Sequence, residues 1–236
     1  MLYSDDLAYV HIEGFGFHWE GAAPAVLQWL RDAGIFAGTV VDLGCGGGQW
    51  LARLTEAGYE TVGVDVSSAM LRHARSRAPE AKLICSSFAD VQLPPCDAVT
   101  SLGEPLNYLP DAREVKRTLK HVYRALRPDG MFIFDVRERA ANKIEPRVSA
   151  CEGEDWACIA HIEESSTTGR LVRRITTFRR DGSVYRRGQE THILQLYPRR
   201  NLLSWLRQIG FRARSHRGYD TYRLGPRQLV VVARKP

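Results

Sequence analysis

The sequence lacks the long apolar runs that a membrane-spanning helix requires. Among its 236 residues there is no stretch of about 18 consecutive apolar residues. The first six residues, MLYSDD, are acidic where a secretory signal would be basic and then apolar. We therefore expect a cytoplasmic protein with no membrane contact, folded as a single domain over residues 1–236.

Recognisable metal and disulfide patterns are missing as well. The five cysteines are odd in number and no two have C-x-x-C spacing, and the seven histidines include no H-E-x-x-H pair. Cys151 and Cys158 are close enough in sequence to form a disulfide or half of a metal site. In a reducing compartment free thiols are favoured, so we expect neither a disulfide nor a bound metal.

Lysine is scarce, with 5 lysines against 28 arginines, and charge is unevenly distributed. Residues 1–136 carry a net charge of −5, whereas residues 137–236 carry +11. A basic half can bind nucleic acid or an anionic substrate, but no aromatic residues are interleaved with these arginines as a base-stacking surface requires. We expect most of these arginines to face solvent, with at most two or three facing a binding pocket. Their charge slightly favours an anionic small molecule over a cationic one in that pocket.

Strand-like and helix-like segments alternate through the first 136 residues. A helix is predicted over residues 22–34, Ser67 caps another, and Asp111 with Glu114 resembles a capping box. Five strands are predicted, at Thr39–Leu43, Glu60–Asp65, Ala81–Cys85, Asp97–Leu102 and Met131–Val136. This alternation indicates an α/β fold with βαβ units, a mostly parallel sheet and helices on both of its faces.

The pattern changes after residue 136. Antiparallel strands are predicted at Trp156–Glu164, Leu171–Arg180 and Val184–Tyr197, with Asp181-Gly182 as a type I′ hairpin turn. A helix over residues 199–209 and strands at Phe211–Arg217 and Gln228–Ala233 follow. We expect residues 150–197 to form an antiparallel insertion that acts as a lid and substrate subdomain.

The strongest motif is a glycine loop, VDLGCGGG, at the end of the first predicted strand. Glycines allow a tight turn and a close approach to a ligand, and the helix that follows presents free N–H groups. A dinucleotide fingerprint would need glycine at position 49, where Gln49 stands. Asp65 ends the second strand, 21 residues after Gly44, where a carboxylate can bind both hydroxyls of a ribose.

The D-x-G-x-G-x-G pattern from Asp42 to Gly48 resembles motif I of the class I S-adenosylmethionine-dependent methyltransferases. Residues 126–132, LRPDGMF, resemble the L-x-P-G-G turn of that family, and residues 97–102 resemble its fourth strand. The loop over residues 101–109 is similar to one in a group of bacterial small-molecule methyltransferases. The resemblance implies a Rossmann-like seven-stranded sheet with an antiparallel β insertion after strand five. It also implies methyl transfer from S-adenosyl-L-methionine to a small-molecule acceptor, with S-adenosyl-L-homocysteine as product.

The resemblance also implies a set of cofactor-binding residues. These are Asp42, Gly44, Cys45, Gly46, Asp65, Val66, Met70, Ser87, Phe88, Leu102 and Gly103. Where the family often has Gly-Asp after strand three, this sequence has Ser86-Ser87, and Asp90 is a candidate for the missing acid. Aromatic residues of the N-terminal segment are expected to close over the cofactor, namely Tyr9, His11, Phe15, Phe17 and Trp19.

The sequence assigns no catalytic residue. Candidate general bases are His18, His161, His192 and Glu104, each of which is more often structural. Two alternatives stay open: a non-catalytic cofactor-binding or regulatory module, and an RNA or DNA methyltransferase that uses the basic C-terminal half. A dehydrogenase is disfavoured because no tyrosine is followed four residues later by lysine. The signature of amino-methyltransferases acting on nucleic acids is absent after strand four, and the oligomeric state is not predicted.

Overall fold

The computed structural model describes residues 2–236. In chain order its helices are α1 (Asp5–Gly14), α2 (Phe17–Asp32), α3 (Gln49–Glu56), α4 (Ser68–Arg77), α5 (Ala112–Ala125) and α6 (Arg199–Ile209), with a short 3₁₀ helix at Pro105–Tyr108. Its strands are β1 (Gly38–Leu43), β2 (Tyr59–Asp65), β3 (Lys82–Cys85), β4 (Cys96–Ser101), β5 (Leu126–Arg137), β6 (Arg147–Glu152), β7 (Trp156–Ser165), β8 (Arg170–Asp181), β9 (Val184–Gln195), β10 (Arg212–His216), β11 (Gly218–Tyr219), β12 (Tyr222–Arg223) and β13 (Gln228–Arg234).

A seven-stranded sheet forms the centre of the molecule, in the order β10-β13-β5-β4-β1-β2-β3. Pairing is parallel from β3 to β5, and β13 runs antiparallel to both β5 and β10. Because the order reverses between β1 and β4, the connections after these strands leave to opposite sides and open a crevice at their carboxyl ends. The predicted fold class is confirmed.

The helix caps follow from the local sequence. The Ser67 hydroxyl accepts a hydrogen bond of 3.1 Å from the N–H of Met70 and begins α4. The Asp111 carboxylate accepts from the N–H groups of Arg113 and Glu114 at 2.8 and 3.0 Å and begins α5. These bonds satisfy N–H groups that have no partner within the first turn of a helix.

The predicted turn before the fifth strand is a bulge inside it. Cys96 pairs with Leu126 and Ala98 pairs with Met131, so four residues of β5, 127–130, lie opposite the single residue Asp97 of β4. Asp129 takes a φ of 65° at this point. The strand therefore begins five residues earlier than predicted, because turn residues can be accommodated within a strand as a bulge.

Strands β6 to β9 form a separate antiparallel sheet, which we call the insertion sheet. The predicted antiparallel insertion is thus confirmed, although its first strand, β6, was not predicted, since all its residues are exposed and show no alternation. The hairpin turn was assigned one residue too early. Asp181 pairs with Val184, and Gly182 takes the first central position with a φ of 63°, as in a type II′ turn rather than type I′.

Helix α1 connects the insertion sheet to the parallel sheet. On one side Ala8 and Ile12 pack against Met70 of α4. On the other side Val10 packs against Trp156 and Cys158 of β7. This two-sided burial holds the insertion sheet over the carboxyl ends of the parallel strands. Within residues 2–236 no helix is long and apolar enough to cross a membrane.

A carboxylate from the insertion sheet binds the start of α1. Glu190 accepts hydrogen bonds from the N–H groups of Tyr3 and Ser4 at 2.8 and 2.7 Å and from the Ser4 hydroxyl at 2.6 Å. His192 lies 3.0 Å from the same carboxylate. Burial by itself would raise the pKa of Glu190, but these hydrogen bonds outweigh it and lower the pKa to about 2.

We predict that Glu190→Gln lowers the free energy of unfolding by about 2 kcal/mol at neutral pH, because charge-assisted bonds to α1 become neutral ones. The ordinary glutamate pKa of 4.5 is lowered to about 2, so the stabilisation is complete above pH 4.5 and disappears as the pH falls through 2. Denaturant titrations between pH 7 and pH 2 measure both effects.

The matched control is Glu152→Gln, which removes one carboxylate from an exposed position of the same sheet. We expect it to change the free energy of unfolding by less than about 0.5 kcal/mol. A difference between wild type and Glu190→Gln that stays constant down to pH 2 would contradict this role for the carboxylate.

Candidate functional site

A cavity of about 750 Å³ lies between the carboxyl ends of β1, β2 and β4 and the insertion sheet. Such a volume is typical of small-molecule sites, which span about 300–1,000 Å³. Helix α1 contributes Leu7 and His11 to its wall, Phe15 directly after the helix adds its ring, and the insertion sheet contributes residues of β6, β7 and β8. The glycine loop and the insertion thus face one common space.

All of the sequence-predicted cofactor-binding residues line this cavity. They are Asp42, Gly44, Cys45, Gly46, Asp65, Val66, Met70, Ser87, Phe88, Leu102 and Gly103. They come from the ends of β1, β2 and β4, from the start of α4 and from the segment after β3. The fold therefore brings together residues that are up to 61 positions apart in the sequence.

The glycine loop after β1 needs glycine for two different reasons. Gly44 has a φ of 81°, and a Cβ there would lie 2.7 Å from the side chain of Pro105, so neither the backbone nor the packing tolerates a side chain. Gly46 has a φ of 52°, and a Cβ there would meet nothing within 4 Å. The space over Gly46 is an open cradle in the cavity wall, available to a ligand.

Asp65 lies beside this cradle with its carboxylate held by the backbone. One oxygen accepts from the N–H of Gly46 at 3.0 Å and the other from the N–H of Ser67 at 2.8 Å. Burial raises the pKa of Asp65, and the bonds from Ser67 and Gly46 act against that rise. Each oxygen keeps lone-pair capacity towards the cavity, an arrangement suited to two hydroxyl donors on neighbouring carbons.

Asp42, near the end of β1, anchors the start of the glycine loop through a chain of hydrogen bonds. Its carboxylate accepts a 2.7 Å hydrogen bond from the Thr100 hydroxyl, which in turn accepts from the Trp50 indole N–H at 3.1 Å. Burial raises the pKa of Asp42 to about 7, with further contributions from the negative charges of Asp65 and Asp135. This chain ties β1 to β4 and α3 beneath the glycine loop.

A second buried carboxylate, Asp135, organises the opposite side of the cavity. It accepts from the N–H of Gly103 at 3.0 Å, the N–H of Glu104 at 2.7 Å, the Tyr219 hydroxyl at 2.6 Å and His18 Nε2 at 2.9 Å. Burial would raise the pKa of Asp135, but His18 and the hydrogen bonds lower it overall. For His18, burial lowers the pKa and Asp135 raises it, and the balance is a raised value.

The candidate bases divide into two that line the cavity and two that do not. His18 and Glu104 are in the wall, whereas His161 and His192 are outside it. His161 is exposed on β7, and His192 is buried between Tyr108 and Glu190. His18 therefore combines a place in the wall with a carboxylate partner.

The carboxylate of Glu104 is hydrogen-bonded to two arginines. The residue sits in a left-handed conformation with a φ of 67°, and its oxygens accept from Arg137 at 3.1 Å, Arg173 at 2.9 Å and Gln228 at 2.6 Å. Because two guanidinium groups and an amide already donate to these oxygens, the carboxylate is engaged with the protein and not with the open space of the cavity. We interpret Glu104 as a residue that positions the two arginines.

The structure corrects the prediction for one of the aromatic residues of the N-terminal segment. His11, Phe15, Phe17 and Trp19 line the cavity as expected, but Tyr9 is directed to the insertion sheet. Its hydroxyl donates to Asp155 at 3.0 Å, and the guanidinium of Arg179 lies 3.8 Å from the centre of its ring. The pattern of aromatic spacing could not separate the two faces of α1.

Asp90 does not replace the acid that the family often has after strand three. It is exposed, forms an ion pair with Arg117 and is not part of the cavity wall. Ser87 is in the wall instead, and its hydroxyl accepts a 3.3 Å hydrogen bond from the N–H of Ala89.

Comparisons with known proteins agree with this geometry. A family model described as a methyltransferase domain matches residues 40–130. The putative methyltransferase YqeM of Bacillus subtilis is 29% identical over 195 residues, covering 78% of this chain and 77% of that protein. The dTDP-3-amino-3,4,6-trideoxy-α-D-glucopyranose N,N-dimethyltransferase of Streptomyces venezuelae is 26% identical, with 81% of each covered.

A crystal structure of an S-adenosylmethionine-dependent methyltransferase from Clostridium acetobutylicum superposes with a TM-score of 0.83, covering 96% of each chain at 19% identity. The family model spans the glycine loop and the parallel strands around it, and the crystal structure has the same fold. These comparisons support a class I S-adenosylmethionine-dependent methyltransferase with S-adenosylmethionine as its cofactor.

Several residues that line the cavity were not predicted from the sequence. They are Tyr3, Tyr108, Arg137, Arg147, Arg173, Tyr222 and Gln228, together with Asp135 beneath the wall. For Asp135 a signal existed, because a charged residue near the end of an otherwise apolar central strand requires partners when buried. Asp135 is the one charged residue of the predicted strand Met131–Val136, so the sequence carried this signal.

The five cysteines of the chain are free thiols. Cys151 and Cys158 are direct cross-strand partners on β6 and β7, and both line the cavity. Among residues 2–236 no group of three or more His, Cys, Asp or Glu side chains is arranged to hold a metal ion.

We predict that Asp135→Asn lowers the free energy of unfolding by about 3–5 kcal/mol. The substitution removes the buried negative charge and leaves its hydrogen-bond partners incompletely paired. The pKa of His18 should then fall below its ordinary value of 6.5, since burial remains while the raising effect of Asp135 is lost. Denaturant titration measures the first effect and NMR titration of the imidazole resonances the second.

The matched control is Asp129→Asn, which affects an exposed ion pair with Arg234. Exposed pairs contribute at most about 1 kcal/mol, so its cost should be small. If the His18 titration curve were the same in Asp135→Asn as in wild type, Asp135 would not be setting the charge of His18.

Proposed function

We propose that the methyltransferase binds S-adenosylmethionine at the carboxyl ends of β1, β2 and β4 and transfers its methyl group to a small molecule beneath the insertion sheet. The observation that carries this proposal is the single cavity of about 750 Å³, which the glycine loop and the insertion sheet share. A ligand at the glycine loop and a second ligand against the insertion sheet would be neighbours in that space.

The residues at the glycine loop fit the cofactor. The Asp65 carboxylate would accept hydrogen bonds from the two ribose hydroxyls, and the open cradle over Gly46 would hold the methionine portion. Ser87 and Phe88 would border the adenine, and the carbonyl of Leu102 would accept from the cofactor's amino group. When bound, S-adenosylmethionine supplies a methyl group that is already activated on a sulfonium.

Because the donor is activated, the chain mainly has to orient the acceptor and exclude water. Orientation of two reactants can be worth about 7–11 kcal/mol of a reaction barrier. The N-terminal segment supports both tasks, since His11 of α1 and Phe15, directly after the helix, stack with ring centres 5.6 Å apart in the cavity wall. Burial lowers the pKa of His11 to about 4, so this imidazole is neutral at physiological pH and does not repel a cationic sulfonium.

His18 is our candidate for the proton acceptor if the attacked atom carries a proton. Its Nε2 is bonded to Asp135 at 2.9 Å, which favours a proton on Nε2 and leaves Nδ1 as the accepting nitrogen. Nδ1 lies 3.4 Å from the Tyr222 hydroxyl, which also lines the cavity. This pair gives a path for a proton from the cavity to His18.

The charges of the basic half support a small-molecule acceptor over a nucleic acid. Many of its arginines form ion pairs within the chain, such as Arg179 and Arg186 with Asp6, and Arg227 with Glu164. Three arginines of the basic half line the cavity, namely Arg137, Arg147 and Arg173, which supports an anionic small molecule as the acceptor. The dTDP-amino-sugar dimethyltransferase resembled by this chain is named for a small molecule, which also supports the proposal. A cytoplasmic location stays a prediction.

We predict that calorimetry detects binding of S-adenosylmethionine and S-adenosylhomocysteine, and that Asp65→Ala weakens both at least ten-fold. The change removes two hydrogen bonds to a charged group, each worth about 1.5–3 kcal/mol. The control is Asp90→Ala, an exposed residue outside the wall, which should leave affinity unchanged. No binding at millimolar cofactor, or equal losses in both variants, would be incompatible with the proposed cofactor site.

A further inference from the structure

Positive charge accumulates on the side of the cavity that faces the insertion sheet. Three arginines line it, Arg137 at the end of β5, Arg147 at the start of β6 and Arg173 in β8. Within residues 2–236, Glu104 is the one carboxylate in this part of the wall, since Asp42 and Asp65 belong to the glycine-loop side. The ionised side chains here therefore carry an excess of two positive charges.

Glu104 uses only part of the hydrogen-bonding capacity of these arginines. It accepts one bond from Nε of Arg137 and one from a terminal nitrogen of Arg173. A guanidinium has five N–H donors, so both groups keep donors for a further partner. Arg147 is exposed at the rim and has no carboxylate partner among residues 2–236.

Two of these arginines are substantially withdrawn from water. The side chain of Arg137 is 12% exposed and that of Arg173 is 23% exposed. A buried cation is costly unless it is paired, and one shared carboxylate cannot neutralise both. Burial lowers the pKa of Arg137, and the positive charges of Arg173, Arg227 and Arg147 lower it further despite Glu104. For Arg173 burial lowers the pKa, but Tyr108 and Glu104 outweigh burial and the pKa is raised. The incompletely compensated charge is therefore that of Arg137, with Arg147, which has no carboxylate partner within residues 2–236, at the rim.

The remaining wall of this part of the cavity is apolar or weakly polar. The insertion sheet supplies Cys151, Cys158, Ala160, Ile162 and Ile175, and the residue that follows α1, Phe15, completes this surface. Such a surface favours an apolar body next to the cationic group rather than a fully hydrated anion.

We propose that Arg137, Arg147 and Arg173 form an anion-binding subsite for the acceptor, which is a small molecule carrying a carboxylate or a phosphate on a largely apolar body. This inference rests on the proposed function, because it places the acceptor in the space under the insertion sheet. Arg173 and Arg137 hold the anionic group through the donors that Glu104 leaves free. Arg147 adds charge at the rim, where an entering anion first meets the site.

The test is calorimetric titration of the full chain, with and without saturating S-adenosylhomocysteine, at constant ionic strength. The probes are phenylacetate, phenyl phosphate, neutral phenylacetamide and cationic phenethylamine, which share an apolar ring and differ in charge. We expect the two anions to bind at least ten-fold more tightly than the amide, because a charge-assisted pair replaces a neutral hydrogen bond. The stronger of the two anions identifies the acceptor group as carboxylate or phosphate.

Two substitutions assign the binding to the arginines. Arg147→Gln should weaken the anions about ten-fold and leave the amide unchanged, and its exposed position protects the fold. Arg173→Lys keeps the charge next to Glu104 but loses the planar fork, and should also weaken both anions. The control is Arg187→Gln, an exposed arginine of β9 outside the cavity wall, which should change nothing.

The outcomes separate this inference from the proposed function. Binding of S-adenosylhomocysteine without any preference for the anions would overturn the subsite and leave the methyltransferase assignment intact. Equal anion affinity in wild type and Arg147→Gln, with no loss in Arg173→Lys, would overturn it as well. A preference for phenethylamine would reverse the inferred charge of the acceptor.

Discussion

The burial of one carboxylate, Asp135, is the constraint on which the side of the cavity opposite the glycine loop depends. A buried carboxylate must be solvated by the protein, and its partners come from three distant places, the loop after β4, helix α2 and the hairpin β11–β12. By binding them together it fixes the backbone at Glu104 and the ring of His18. The strained backbone of Glu104 in turn directs its carboxylate to Arg137 and Arg173.

The second determinant is the placement of α1 between the two sheets. The helix buries one face on α4 and the other on β7. Two charged contacts add to this packing, because Glu190 of the insertion sheet accepts from the N–H of Ser4 and Asp6 of α1 pairs with Arg186 of the sheet. The insertion sheet is thereby held over the carboxyl ends of the parallel strands instead of extending into solvent. The glycine loop and the insertion sheet form one cavity for this reason.

The sequence predicted what depends on local geometry and missed what depends on tertiary contacts. The glycine loop and Asp65 were predictable because a parallel strand, a turn with positive φ and a helix start follow in direct succession. Strand β6 was missed because all its residues are exposed, and Tyr9 was assigned to the wrong face of α1. Nothing in the alternation of β8 distinguishes Arg173 from the neighbouring arginines, since its orientation depends on how the insertion sheet packs.

The central claim is that the glycine loop and the insertion sheet bind cofactor and acceptor in one shared space. A crystal structure of the protein grown with S-adenosylhomocysteine and a saturating aromatic carboxylate tests it most directly. The account predicts ribose hydroxyls on Asp65, the cofactor sulfur facing the space between His18 and Arg173, and the carboxylate on the arginines. Cofactor density outside the cavity, or a sulfur directed away from the insertion sheet, would contradict it.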